Sequence, residues 1–264
     1  MERLYQKTRV IKSLKEHYSP YLNLLTKPTG GKLFLLLLSV LSMQFVTSVR
    51  HIHKWFMSRI SKTSLNSYYY TLSKTEIPLE KFAKITLEKA LSLVAEVHKA
   101  LPILLIIDDT LQEKFGTYFA CYQTIFDHAR HNGSNFLTGH CFVALTVCVP
   151  IVTAGELRYL NIPLRFRLRD ENQNKLVIAS EMIREAMKSL ADVQTVILLC
   201  DSWYPKGDIL KTVAAYNNLE LIANVRVDSS MFDLPPERTG RRGRPAKKGK
   251  QLSIFTGFAF SQVG

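Results

Sequence analysis

The stretch LPILLIIDDTLQEKFG, residues Leu101–Gly116, decides how the rest of the chain can fold. Five apolar residues, Ile103 to Ile107, follow a proline and run directly into Asp108 and Asp109. A short apolar run of this kind, rich in β-branched residues, predicts a buried central strand. A protein core cannot hold unpaired carboxylates. We therefore expect the strand to leave the sheet at the two acids, at the edge where ligands bind in open α/β sheets.

A second stretch further along the chain has the same design. The segment TVILLCD, residues 195–201, is another short apolar run that ends in an acid, Asp201. An amphipathic helix predicted over Lys175–Leu190 precedes it, and a strand–helix–strand connection of this length sets two strands parallel with a right-handed crossover. If the two acid-ending strands are neighbours, Asp109 and Asp201 face each other at one edge of the sheet.

The remaining pattern after residue 101 predicts a mixed sheet with the order β-β-β-α-β-α-β. The first three strands are able to form an antiparallel meander. The further elements are strands at Gly139–Val149, Glu156–Arg167 and Glu220–Val227, a helix at Asp208–Asn217, and a last strand that starts at Leu252.

Residues 1–100 predict a helical and basic region. One or two helices over Leu33–Ile60 follow a turn predicted at the PTGG segment, residues 28–31. A break with capping residues at 61–64 precedes a short helix over Leu65–Leu72, and a further helix extends from Ile77 to about Ala100. This arrangement is compatible with a helix-turn-helix-like DNA-binding module and equally with a small helical bundle that has a solvated basic face. In the first case Arg59 and Lys62 are candidate DNA contacts.

The charge of the chain is segregated by position. The formal net charge is +13, to which residues 1–75 contribute +10 and residues 238–264 contribute +7, while the segment between them is −4. Basic ends of this kind indicate an anionic polymer or surface as partner. The Pro- and Gly-rich segment 234–249 predicts an exposed loop, either a solvated linker or a DNA contact. Its candidate DNA-binding residues are Arg241, Arg242, Arg244, Lys247 and Lys248.

The cysteines and the apolar segments indicate a cytoplasmic protein. None of the four cysteines forms a CxxC pair, and we expect them to be reduced thiols. The apolar run Leu33–Val46 is shorter than a membrane span and is interrupted by polar residues, so no membrane partner is expected.

Several side chains near the acids have more than one interpretation. Trp203 and Tyr204 directly follow Asp201, where they can stack on a displaced base or pack beneath the site. A zinc site is an alternative for a group of histidines and cysteines, but their spacing fits no recognisable zinc module. That group consists of His128, His131, His140 and Cys141, with Cys121 near in sequence.

Four segments in order, LLIIDDT, FDHARHNGSNFLTGHCFVAL, ILLCDSWY and TGRRGRPAKKG, resemble bacterial insertion-sequence transposases of the DDE type, in the ribonuclease H-like superfamily. The resemblance extends over about residues 35–250. It implies a DNA-binding helical region over 1–100, a ribonuclease H-like catalytic core over 101–228, and the start of a basic insertion over 229–264. It also implies double-stranded DNA at element ends as the partner, a homodimer on that DNA, and association with the bacterial nucleoid.

The resemblance assigns the chemistry to two of the acids. In such transposases the first catalytic Asp ends the first strand and precedes a Thr, which matches Asp109, and the second ends the fourth strand, which matches Asp201, 92 residues later. The implied reaction is DNA cleavage and strand transfer with two magnesium ions, which activate the nucleophile and stabilise the leaving oxygen. Asp109 and Asp201 would share the first ion. Because strand side chains alternate, Asp108 is expected to point to the other side and to orient a neighbour.

The sequence departs from the transposase pattern at the third acid. The last acidic residue is Glu237, and residues 238–264 contain none. The expected chain is thus the front part of a transposase, incomplete in its C-terminal insertion, that binds DNA and cuts it poorly. Two hypotheses follow: a DNA-cutting transposase, and a non-catalytic form that binds DNA and inhibits the full-length enzyme. A small-molecule phosphatase or nuclease explains neither basic end.

Overall fold

The computed structural model describes residues 2–116, 118–126, 136–224, 230–233, 235–237 and 246–252. The chain divides into two compact units, Met1–Leu93 and Val94–Gly264. The first is helical and the second contains a mixed sheet, as predicted. Among the described residues, no helix combines the length and apolar character that crossing a membrane requires.

Helices of very different length build the first unit. They are α1 (Glu2–Leu22), α2 (Lys27–Ser42), α3 (Val49–Ile52), a π-helical turn (His53–Met57), α4 (Ser58–Ile60), α5 (Leu65–Lys74) and α6 (Leu79–Leu91). A small apolar core joins α2, α3, the π-helical turn and α5. Its buried members are Leu36, Ile52, Met57 and Tyr68.

Two predictions about this unit are wrong in detail. The PTGG segment is not a turn but the first turn of α2, where the fixed φ of Pro28 suits the helix and its missing N–H would have no intrahelical partner anyway. The helix predicted to reach Ala100 ends at Leu91, with Ser92 as its C-terminal cap. The predicted break before α5 is present, and the Ser64 hydroxyl accepts the backbone N–H of Ser67 to cap the helix.

The second unit contains the elements that position the acids. In chain order they are a 3₁₀ turn (Glu96–His98), β1 (Ile103–Glu113), β2 (Gln123–Phe126), β3 (Phe136–Thr153), β4 (Glu156–Leu168), α7 (Lys175–Met187), β5 (Val196–Cys200), α8 (Gly207–Val213), β6 (Leu219–Ala223), β7 (Met231–Phe232) and β8 (Gln251–Leu252). The main sheet has the order β2-β3-β1-β5-β6, and β4 also pairs with β3. The strands β7 and β8 form a separate antiparallel pair.

The predicted sheet topology is confirmed around β1. This strand pairs antiparallel with β3 on one side and parallel with β5 on the other. Its odd-numbered residues Leu105 and Ile107 are fully buried, as are Leu198 of β5 and Ile183 of α7. The long apolar run of β1 is therefore explained by its central place in the sheet. The four-residue strand β2 is an element that the sequence pattern did not reveal.

The sequence predicted that the first strand ends at the two acids, and this prediction is wrong. The strand continues to Glu113. The reason is β3, which pairs with β1 as far as Glu113↔Gly139 and so keeps the backbone hydrogen bonds of residues 108–113 satisfied. Gly139 allows this close approach, because a Cβ atom there would lie 2.1 Å from the carbonyl oxygen of Gln112. The acids thus lie inside a strand, at the point where it loses its partner β5.

Candidate active site

The parallel pairing of β1 and β5 brings the two acid-containing segments to one edge of the sheet. The register runs from Ile103↔Val196 to Ile107↔Cys200, after which β5 ends. Asp108 is the next residue of β1, and Asp201 directly follows the last residue of β5. Beyond this point, among the residues that the structure describes, β1 has no strand partner on the side that faced β5.

Asp108 and Asp109 belong to opposite faces of the sheet. Side chains alternate along a strand, and the buried residues Leu105 and Ile107 define the face of β1 that Asp109 shares. We call this the α7 face, because Lys175 at the start of α7 contacts Asp109 there. Asp108 shares the other, outer face with the half-buried Ile106.

Both carboxylate oxygens of Asp109 are engaged on the α7 face. The ammonium of Lys175 lies 3.1 Å from Oδ1 and 3.0 Å from Oδ2. The hydroxyl of Tyr204 donates to Oδ1 at 3.0 Å, and the thiol of Cys141 donates to Oδ2 at 3.8 Å. The side chains of Asp109 and Lys175 are 18% and 17% exposed. Asp109 is therefore a largely buried, neutralised carboxylate.

Tyr204 is the buried hydrogen-bond donor of this network. Its side chain is fully buried, so of the two predicted roles, packing beneath the site is the one that the structure shows. Burial raises the pKa of Tyr204, and the negative charge of Asp109 raises it further. The phenol consequently stays protonated and remains a hydrogen-bond donor to Asp109.

Lys175 and Trp203 connect Asp109 to Asp201. The Lys175 ammonium lies 4.0 Å from the centre of the Trp203 ring, and the ammonium of Lys206 lies 4.4 Å from it. The backbone N–H of Trp203 donates to Oδ1 of Asp201 at 3.0 Å. Cation–π contacts of this kind and the turn after β5 together hold the loop that carries Asp201.

Asp108 has a different environment. Its Oδ1 accepts the backbone N–H of Asp109 at 2.8 Å, which matches the predicted role of orienting a neighbour. Burial raises the pKa of Asp108, and the charges of Asp109 and Asp201 raise it further. Like charges disfavour ionisation, so both neighbouring carboxylates act on Asp108 in the same direction as its burial.

The described residues give no support to the zinc alternative. Burial and the charge of Asp109 raise the pKa of the Cys141 thiol to about 11, and this thiol donates to Oδ2 of Asp109. The ring of His140 contacts the carbonyl of Ala120 at 2.9 Å. His128 and His131 lie outside the described residues. Within the described part, no group of three or more His, Cys, Asp or Glu side chains is arranged to hold a metal ion.

Comparison with known proteins identifies the family. A sequence profile described as DDE superfamily endonuclease matches residues 20–257. The chain belongs to this DDE endonuclease family. The predicted relationship to DDE proteins is thereby confirmed.

Several solved structures that are similar to this chain are transposase complexes. The Drosophila P element transposase strand transfer complex is 8% identical, with a TM-score of 0.35, and the match covers 83% of this chain and 48% of that one. The Mos1 strand transfer complex is 11% identical, with a TM-score of 0.25, and the match covers 74% and 58%. The chain thus spans about half the length of these proteins. No curated protein matches it.

The predicted DNA-binding residues of the chain are only partly within the described structure. Arg59 in α4 and Lys62 in the following turn are exposed on the first unit. Lys247 and Lys248 are exposed on the second unit, where the Lys248 ammonium lies 4.2 Å from the centre of the Phe232 ring. Arg241, Arg242 and Arg244 lie outside the described residues.

The sequence analysis did not predict Lys175 as a residue of the site, although its position in the sequence contains a signal for this role. Lys175 is the first residue of α7, whose N-cap is Asn174, and a cation is unfavourable at a helix N-terminus because of the helix dipole. A lysine at this position therefore indicates a nearby carboxylate.

Lys175 also lines an open cleft of about 420 Å³ next to the acids. The other lining residues are Arg169, Glu171, Asn172, Gln173, Asn174 and Trp203.

Proposed function

We propose that the chain is the DNA-cutting part of a transposase that cleaves DNA at the ends of an insertion sequence and transfers the cut strand to a target. One observation carries this proposal. The parallel pair β1 and β5 brings Asp108, Asp109 and Asp201 to a single open edge of a mixed sheet. Membership of the DDE endonuclease family supports phosphoryl transfer as the chemistry.

The donor set at this edge suits magnesium. Mg²⁺ prefers one or two carboxylates and completes its coordination with water and phosphate oxygens, and the edge offers carboxylates whose charges repel each other. Asp109 and Asp201 are the pair predicted from the sequence, and Asp108 is the second candidate beside Asp201. When bound, magnesium would supply charge stabilisation for the attacking and leaving oxygens of the phosphodiester.

Residues of the chain supply the other requirements of the reaction. The Lys175 and Lys206 ammonium groups flank Trp203 next to Asp201 and provide positive charge for a phosphate backbone. The exposed residues Arg59 and Lys62 suit contacts to double-stranded DNA outside the reacting phosphate. A homodimer that binds two element ends, cytoplasmic and associated with the nucleoid, is part of the same proposal.

Cleavage of end-bearing DNA tests the proposal. Purified protein is incubated with Mg²⁺ or Mn²⁺ and a plasmid that carries the borders of the element encoding the chain. We expect nicks at those borders that Asp201→Asn abolishes and that the matched control Asp192→Asn, an exposed acid away from the edge, leaves unchanged. Binding of the border DNA without nicking would instead support the non-catalytic alternative.

A further inference from the structure

We propose that the cleft beside the acids binds a phosphate of the DNA backbone close to the phosphate that is cut, and that Arg169 is the residue that holds it. This contact rests on the proposed function, because it is one of the contacts by which that function would hold its DNA substrate.

The cleft borders the residues that contact both acids. Lys175 and Trp203 line it. The Lys175 ammonium contacts Asp109, and the backbone N–H of Trp203 donates to Asp201. The volume of about 420 Å³ is many times the roughly 30 Å³ that one water molecule takes up, so the cleft has room for a phosphate group. A phosphate there would lie beside the acids, as a neighbour of the reacting phosphate must.

The loop between β4 and α7 holds Arg169 in place. The backbone N–H of Arg169 donates to the carbonyl of Cys141 at 2.8 Å, and its own carbonyl accepts the side-chain amide of Gln123 at 3.3 Å. The Nε of Arg169 donates to the carbonyl of Gln173 at 3.0 Å. The half-buried side chain is thus fixed at its backbone and at the base of its guanidinium. A ligand that binds a side chain held in this way costs less conformational entropy.

The outer end of this guanidinium is open. Within the described residues, Nη1 and Nη2 of Arg169 have no hydrogen-bond or ion-pair partner, although Asp170 and Glu171 are its neighbours in sequence. Asp170 instead serves the loop, where its Oδ1 accepts the backbone N–H of Asn172 at 3.4 Å. Two free nitrogens on a planar guanidinium match two oxygens of a phosphate.

Arg169 differs in this respect from two arginines of β4. Arg158 donates from both Nε and Nη2 to Oε2 of Glu156. Arg167 makes an ion pair of 2.5 Å with Glu181. Carboxylates of the chain therefore occupy these two guanidinium groups, whereas that of Arg169 is left for an anion from outside.

The surroundings of Trp203 favour a phosphate over a base as the occupant. The ammonium groups of Lys175 and Lys206 lie 4.0 and 4.4 Å from the centre of its ring, and a stacked base would have to compete with them. Lys206 is exposed and has no carboxylate partner among the described residues, so its charge adds to that of Arg169. Glu171 also lines the cleft, but it is exposed and solvent screens its charge.

Neutralising single phosphates of border DNA tests the contact. Each labelled duplex carries the border of the element and one uncharged methylphosphonate at a position close to the phosphate that is cut. Binding to the full chain is followed by fluorescence anisotropy in chelator. At one such position we expect wild type to bind about tenfold more weakly than it binds unmodified DNA, because a charge-assisted contact is lost. Arg169→Ala should bind the modified and unmodified duplexes with the same, reduced affinity.

Matched variants separate a phosphate contact from a structural role of the loop. Arg169→Ala should make the slope of log affinity against log salt less steep by about 0.9, a change that a distorted loop alone would not produce. Arg169→Lys keeps the charge without the planar fork and should keep the slope while recovering part of the affinity. Arg158→Ala removes an arginine that Glu156 already occupies and should match wild type with every duplex.

The outcomes distinguish this contact from the proposed function. If every methylphosphonate weakens wild type and Arg169→Ala equally, the contact is wrong even where border DNA is nicked. Should Arg169→Ala not fold, Arg169→Gln, which keeps an N–H donor for the loop, takes its place with the same expectation. The expected pattern without nicking in Mg²⁺ leaves the contact standing and overturns the cutting function. A wild-type chain without affinity for border DNA overturns both.

Discussion

The ammonium of Lys175 lies within 3.1 Å of both carboxylate oxygens of Asp109, and this buried pair connects the N-terminus of α7 to the central strand of the sheet. Neither side chain is more than 18% exposed. Most ion pairs on protein surfaces contribute little because solvent screens them and both side chains lose entropy. The Asp109–Lys175 pair is different because both side chains are largely buried, so solvent screens their charges less.

Removing one member of this pair should destabilise the protein strongly. We expect Asp109→Asn to lower the free energy of unfolding by about 3 kcal/mol, since an unpaired buried ammonium remains. Urea unfolding of the single and double variants in a mutant cycle with Lys175→Met measures the coupling. The exposed pair Lys84–Glu88 is the control, with an expected coupling of at most about 0.5 kcal/mol. Equal coupling energies for the two pairs would contradict the buried, structural role of Asp109.

The Tyr204 hydroxyl should make stability depend on alkaline pH. Its pKa is raised in the folded protein by burial and by Asp109, whereas a tyrosine in the unfolded chain ionises near pH 10. The stabilisation that the protonated Tyr204 hydroxyl gives the folded protein is therefore fully present below about pH 10. It is lost as the pH rises further, because the tyrosine of the unfolded chain releases its proton first.

Tyr204→Phe tests both effects of this hydroxyl. The substitution removes a hydrogen bond to a charged acceptor and should cost about 1.5–3 kcal/mol at neutral pH. It should also make the decline of stability above pH 10 shallower than in wild type. Tyr70→Phe, at an exposed position, is the control and should change neither quantity. A wild-type slope in Tyr204→Phe would show that other groups cause the alkaline decline.

The sequence predicts the sheet well because its signals are strong and local. The apolar runs before Asp108 and Asp201 can only be buried strands, and the helix between them fixes their parallel direction. That the two neighbouring acids point to opposite faces follows from alternation along the strand, but the partners of Asp109 could not be predicted from the sequence alone. Those partners are Lys175, Tyr204 and Cys141, which approach Asp109 from three separate parts of the chain.

Strand ends were predicted less well, for a reason that lies in β3. The acids suggested that β1 stops, because two charges in sequence normally mark the end of a buried strand. The strand continues because one neighbour extends beyond the other, which leaves residues 108–113 paired on one side and open on the other. Such one-sided pairing is set by tertiary structure and leaves no periodic signal in the sequence.

Gly139 should be essential for this one-sided pairing. A Cβ atom at this position would lie 2.1 Å from the carbonyl oxygen of Gln112 and 2.9 Å from the Cα of Glu113, both backbone atoms of β1. Gly139→Ala is therefore expected to force β1 and β3 apart and to cost about 1–3 kcal/mol, the range for overpacked positions. Chemical denaturation measures the loss.

A second glycine provides the matched control for this substitution. A Cβ atom at Gly207, the first residue of α8, would meet no atom within 4 Å. Gly207→Ala should leave stability unchanged or raise it by up to about 1 kcal/mol, since alanine restricts the unfolded chain. Equal losses for the two variants would contradict the close approach of the strands at Gly139.

DNA binding should depend steeply on salt and only weakly on the acids. The basic ends of the chain carry +10 and +7 against a middle of −4, and each phosphate that a protein neutralises contributes about −0.9 to the slope of log affinity against log salt. Arg59 and Lys62 are exposed on the first unit. We expect Arg59→Ala and Lys62→Ala each to make this slope less steep by about 0.9, the contribution of one phosphate contact. Fluorescence anisotropy of labelled duplex DNA across a salt series gives the slopes.

Two comparisons make the salt experiment decisive. Lys84→Ala removes an exposed lysine that is already paired with Glu88 and should leave the slope unchanged. Asp201→Asn removes a carboxylate from the sheet edge, so in the absence of metal it should preserve or tighten binding, because one repulsion with the phosphate backbone is lost. A flat salt dependence for the wild-type chain would show that the basic ends do not neutralise DNA phosphates, and a protein or small-molecule partner would then replace DNA as the expected ligand.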